Sequence, residues 1–94
     1  MNPYLKNQIL SAPGNDLVTY TYDAAIISCH RCDRIRALEA VDTLIKGLRT
    51  DEHPEIALLL YGVYRQILEH IYRAEYNIAG EWLQNLRDIW KEII

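Results

Sequence analysis

Residues 54–72 read Pro54-Glu55-Ile56-Ala57-Leu58-Leu59-Leu60-Tyr61-Gly62-Val63-Tyr64-Arg65-Gln66-Ile67-Leu68-Glu69-His70-Ile71-Tyr72, and this stretch decides the fold. Pro54 suits the first position of a helix, where a missing amide hydrogen is no loss. His53 or Asp51 stands at the cap, and Glu55 faces the positive end of the helix dipole. The apolar spacing predicts a helix to about Tyr76. One stripe is Ile56, Leu60, Val63, Ile67 and Ile71. A second is Leu58, Tyr61, Tyr64 or Arg65, Leu68 and Tyr72. A single packed core needs only one stripe, so the second is surplus.

The same spacing recurs on either side. Upstream, residues from about Arg34 to Arg49 place Leu38, Val41, Ile45 and Leu48 three and four apart, widened by Ala37 and Leu44. From about Asp16 to Cys32 the apolar arc is broad, with Thr19, Asp23 and His30 as a narrow polar edge, which predicts a helix touching neighbours on two sides. Downstream, Asn77 suits a cap. Ile78, Trp82, Leu86, Ile89 and Ile93 then repeat, with Leu83 and Trp90 alongside, while Glu81, Gln84, Arg87, Asp88 and Lys91 face water. Four helices with short connections predict an all-α, antiparallel up-down four-helix bundle. Residues 1–94 form one domain, with the bundle at 13–94 and an N-terminal arm at 1–12 carrying Tyr4, Ile9 and Leu10.

Composition narrows the function. The chain has 94 residues, half of them hydrophobic, and a net charge of −3. Such a chain folds, and its negative balance argues against nucleic acid, which demands clustered positive charge. No apolar run reaches the roughly 18 residues of a membrane span. The opening MNPYLKNQIL has no signal-peptide pattern, so a cytoplasmic location is expected. There are seven Tyr, two Trp and no Phe. Each Tyr ring carries a hydroxyl that needs a partner when buried, and Tyr favours half-wet surfaces such as interfaces.

The only cysteines lie in Cys29-His30-Arg31-Cys32. Haem attachment requires His after the second Cys, where Asp33 stands. A zinc site requires a second paired motif, and a thioredoxin-like site requires a βαβ setting; the sequence has neither. The expectation is two reduced thiols near a helix end, with a thiol- or metal-responsive sensor using Cys29, His30 and Cys32 as a rival. No nucleophile elbow, phosphate loop or repeated Glu-x-x-His occurs. Neither an enzyme nor a cofactor is expected.

Three stretches together resemble the flagellar secretion chaperone family, FliS. Asn2-Pro3-Tyr4 followed by Asn7-Gln8-Ile9-Leu10-Ser11-Ala12 is similar to the family's opening arm. Leu17-Val18 through Tyr22-Asp23-Ala24-Ala25-Ile26 is similar to its Leu-Val…Leu-Tyr-Asp-Gly-Ala-Ile. Tyr64-Arg65-Gln66-Ile67-Leu68-Glu69 and Leu86-Arg87-Asp88-Ile89-Trp90-Lys91-Glu92 resemble its Tyr-Arg-Arg-Leu-x-Glu and closing Arg-Asp-x-Trp-Lys. There are departures. Between Asp23 and Asp33 the chain is roughly two helical turns shorter than the family pattern, and between Glu69 and Arg87 about one turn shorter. Pro13-Gly14 replaces a capping Ser/Thr-Pro, and Ala24 replaces a Gly.

The resemblance implies a cytosolic export chaperone. Its partner would be the C-terminal segment of flagellin, with export-apparatus components as a further class. Binding would be helix-in-groove with coupled folding. The residues supply candidates for that groove without the family: Tyr61, Leu68 and Tyr72 from the surplus stripe, Ile35 and Ala40 on the second helix, and Tyr20 or Ile26 on the first. The groove expected from both lines is Tyr20, Ile35, Leu38, Tyr61, Tyr64, Ile67, Leu68 and Tyr72. The arm residues Tyr4, Ile9 and Leu10 would occupy it when no client is bound. A monomer or weak homodimer is expected, and a homodimeric helical adaptor is the second rival.

Overall fold

The computed structural model describes residues 14–49 and 51–93, and the described residues form four helices with no strand. They are α1 Gly14–His30, α2 Arg34–Lys46, α3 Pro54–Tyr72 and α4 Tyr76–Ile93. Each packs against two others, α1 against α2 and α4, and α3 against the same pair. The arm at 1–12 lies outside the described residues. No helix among those described is long and apolar enough to cross a membrane.

Two helix ends share one device. Cys32 adopts φ 55° and Ala74 φ 60°. The Cys32 amide donates to the Cys29 carbonyl and the Asp33 amide to the Ser28 carbonyl. At the end of α3 the Ala74 amide donates to Ile71 and the Glu75 amide to His70. Both are Schellman endings, in which a left-handed residue turns the chain back over the last carbonyls. They explain where the helices stop. Helix α1 ends at His30 instead of Cys32, and α3 ends at Tyr72 instead of Tyr76. Helix α4 correspondingly begins at Tyr76, with the Ala79 amide bonded to the Glu75 carbonyl, so Asn77 lies inside its first turn and is not the cap. At α2 the Asp33 side chain is the cap, its Oδ1 accepting from the Arg36 amide at 3.2 Å, and the helix stops at Lys46, ahead of the expected Arg49.

A left-handed conformation strains any residue with a Cβ, by about 1–2 kcal/mol, and glycine relieves this. Cys32→Gly is therefore expected to stabilise the fold by about 1 kcal/mol, raising the melting temperature by about 4–8 °C. A thermal melt followed by circular dichroism checks this.

The core runs along one line per helix. It takes Val18, Tyr22, Ala25, Ile26 and Cys29 from α1, and Ala37, Ala40, Val41 and Leu44 from α2. Leu60, Tyr64, Ile67 and Ile71 come from α3, and Tyr76, Ala79, Leu83, Leu86 and Trp90 from α4. Burying each of the larger aliphatic side chains contributes about 1.5–3 kcal/mol.

Two expected stripes hold only in part, while Leu60, Ile67 and Ile71 of the α3 stripe lie in the core as expected. On α4 Ile78, Trp82 and Ile89 of the expected repeat are exposed, Leu86 packs inward as expected, and Ala79, Leu83 and Trp90, each one position further on, face the core with it. The small residues decide this. Ala79 is fully buried, and a Cβ at Gly80 would stand 3.6 Å from that of Cys29, so this side of α4 lies close against α1. On α3, Ala57 and Tyr64 are buried, whereas Ile56 is exposed and Val63 only half-buried.

Candidate functional site

The centre of the bundle is polar at one point. Tyr22 on α1 and Tyr64 on α3 are both buried, and their hydroxyl oxygens meet at 2.5 Å. The Trp90 indole N–H on α4 donates to the Tyr22 oxygen at 3.1 Å. One oxygen thus joins three helices. Burial raises both tyrosine pKa values above their ordinary 10.0, so the hydroxyls stay neutral. Beside this group, Arg87 on α4 donates from Nη1 to Asp23 Oδ1 on α1 at 2.7 Å. The Arg87 Nε is buried and without a hydrogen-bond partner. Arg87, expected to face water, is instead largely buried and ties α4 to α1.

Tyr22 and Asp23 belong to the second stretch quoted for the resemblance, Tyr64 to the third-helix stretch, and Arg87 and Trp90 to the closing one. These residues, distant in sequence, meet in two contacts at adjacent positions of α1, Tyr22 with Tyr64 and Trp90, and Asp23 with Arg87.

The structure divides the expected groove residues. Tyr64 and Ile67 lie in the core, and Leu38 and Leu68 are half-buried against it. In this arrangement Tyr64 and Ile67 present no surface to a client, because they fill the space between the helices. Tyr20 (74% exposed), Ile35 (71%), Tyr61 and Tyr72 stand in solvent. Of these, Tyr20 lines a groove of about 670 Å³ between α1 and α2, with Ile27, Arg31, Arg36, Glu39 and Thr43 around it and Ala24, Ser28 and Ala40 also in its walls. Ile35 lies outside that groove. Its lining mixes apolar side chains with both signs of charge, which suits an amphipathic segment.

Several exposed apolar residues were not expected in solvent, namely Ile27, Ile56, Leu59, Ile78, Trp82 and Ile89. Ile27 had a usable signal, since it lies seven residues after Tyr20 on the same helix face. Trp82 is half-covered by His70, whose ring meets the indole edge-on at 5.4 Å and whose Nδ1 lies 3.2 Å from Glu75 Oε1. His70 therefore has a place at the α3–α4 turn.

The two cysteines differ. Cys29 is buried in the core and Cys32 is exposed. Burial, with the Cys32 thiol nearby as the lesser cause, pushes the Cys29 pKa up to about 11, so its sulfur stays a thiol and a poor nucleophile. Among the described residues no three His, Cys, Asp or Glu side chains gather as metal ligands. The Cys-x-x-Cys spacing marks a core residue and a helix-ending residue.

No family model, no curated protein and no solved structure matches this chain.

Proposed function

We propose that this chain is an export chaperone of the flagellar secretion type, which holds the C-terminal segment of flagellin as a helix on its surface and prevents early polymerisation. The observation that carries this reading is the cluster of Tyr22, Asp23, Tyr64, Arg87 and Trp90. The resembling stretches agree in order along the chain and also supply the residues that join α1, α3 and α4. The connections 31–33 and 73–75 are short enough to favour antiparallel neighbours, and the proposed bundle is up-down.

The client surface is formed by the exposed residues Tyr20, Ile35, Tyr61 and Tyr72, with Leu38 and Leu68 at its edges. Tyr64 and Ile67 support it from beneath. Such a surface suits a client that is disordered when free, because tyrosine rings tolerate water when the site is empty and cover apolar side chains when it is full. Ordering the client costs about 2–5 kcal/mol of the interaction energy, so a contact spread over several helices is needed. The proposed location is the cytoplasm, and the arm at Tyr4, Ile9 and Leu10 competes for the same surface.

Calorimetric titration with the flagellin C-terminal segment tests this. Binding with a negative heat-capacity change is expected, Tyr72→Ser weakens it about tenfold, and removal of residues 1–10 strengthens it. Absence of binding overturns the proposal.

A further inference from the structure

The outward face of α3 has a gap that none of the described residues fills. Gly62 sits in the middle of the helix, and a Cβ built on it meets nothing within 4 Å. Glycine is unfavourable in a helix interior, and here neither packing nor a turn calls for it. Helical spacing places Glu55, Leu58, Leu59, Gly62, Arg65 and Gln66 on this one face. Leu58 and Leu59 are 73% and 70% exposed, so two large apolar side chains stand in water beside the gap. Glu55 and Arg65 lie at opposite ends of the patch, and neither has an ion-pair partner among the described residues.

We infer that this face is where a second copy of the chain docks, with α3 packed antiparallel on the α3 of its partner. A two-fold axis at the level of Leu60 sets Leu58 over the partner's Gly62 and Leu59 beside the partner's Tyr61. It also sets Glu55 opposite the partner's Arg65, and by symmetry each contact occurs twice. The patch is therefore complementary to itself in charge and in shape. The missing side chain at Gly62 makes room for the leucine and lets the two backbones approach. The contact covers only a few turns of helix, so it belongs with small, weak interfaces, and a dissociation constant on the order of 100 μM is expected. Tyr61 also belongs to the proposed client surface, so client and second copy would compete there, but the inference rests on Gly62, Leu58, Glu55 and Arg65 and does not depend on the chaperone reading.

Sedimentation equilibrium on the full chain, from about 10 μM to about 1 mM, is the test. The parent chain should pass from monomer to dimer across that range. Gly62→Gln should weaken association at least about tenfold, while its own melting temperature rises by a few degrees, because the new side chain enters open space and improves helix propensity. Glu55→Arg should weaken association similarly, and combining it with Arg65→Glu should restore it. A chain that stays monomeric at the highest concentration overturns the inference. So does a dimer indifferent to both Gly62→Gln and Glu55→Arg, which would assemble through another surface. Loss of flagellin-segment binding in Gly62→Gln, with the parent chain monomeric throughout, would assign the face to the client and also overturn it.

Discussion

Tyr22→Phe is expected to lower the stability of the fold by about 2–4 kcal/mol, although it removes a single oxygen atom. That oxygen accepts from the Trp90 indole and pairs with the Tyr64 hydroxyl. Removing it takes from the Tyr64 hydroxyl and the Trp90 indole the oxygen they share, and an unsatisfied buried polar group costs about 1–3 kcal/mol. Tyr64→Phe is expected to do less harm, because Trp90 still donates to Tyr22. The double variant should be more stable than the sum of the two losses predicts, since it abolishes the orphaned hydroxyl as well as its partner. Urea denaturation of the parent and the three variants measures this. Purely additive losses would show that the hydroxyl pair contributes nothing through its mutual contact.

The second large effect is on alkaline stability. Burial raises the pKa of Tyr22 and Tyr64 above 10.0 in the folded chain, and that of Cys29 from 9.0 to about 11. In the unfolded chain these groups lose their protons at ordinary values. Above pH 9 the unfolded state thus binds fewer protons than the folded one, and stability falls as pH rises. Cys29 begins the fall at about pH 9, and its share levels off near pH 11, where the folded thiol ionises too. The tyrosines join from about pH 10. Each group contributes about 1.4 kcal/mol per pH unit while it is ionised only in the unfolded chain. Stability is therefore expected to fall steadily between pH 9 and pH 11, and to be insensitive to these groups well below pH 9. Denaturant midpoints measured across that range test this, together with an ultraviolet titration in which two tyrosines ionise only as the fold is lost. A midpoint that does not move between pH 9 and pH 11 would mean that these side chains reach solvent.

The surplus apolar character of α3 was legible from spacing alone. Leu58, Tyr61 and Tyr72, assigned to a second stripe, do stand exposed. What spacing did not separate was Tyr64 from that stripe, because Tyr64 lies between the two apolar sets around the helix. Its neighbours decided, since the Tyr22 hydroxyl across the centre offers its own a partner. The tyrosine excess thus has two causes. Tyr22 and Tyr64 are core residues whose hydroxyls bond each other, which is packing. Tyr20, Tyr61 and Tyr72 are in water, which leaves them available to a partner. The absence of Phe pointed to polar contacts for the rings, and did not show which rings would find them inside the fold.

The closing stretch shows the same limit differently. Arg87 and Asp88 are adjacent and charged, and a helix-wheel argument sends both to solvent. The structure keeps Asp88 exposed and turns Arg87 inward onto Asp23. That pairing spans α1 and α4, so no local pattern contains it.

From sequence alone came four helical segments, their approximate ends and the presence of more apolar surface than one core can use. Those follow from local physics: the three-four spacing, Pro54 at a helix start, and charge distributed on the opposite side. The tertiary structure decided which line of each helix faces inward and which residues end the helices. On α4 the choice between Ile78-Trp82-Ile89 and Ala79-Leu83-Trp90 turns on the burial of Ala79 and the close approach of Gly80 to α1, a volume constraint set by another helix. An apolar arc wider than one contact line leaves the rotation of a helix open, and only the shapes of its neighbours close it.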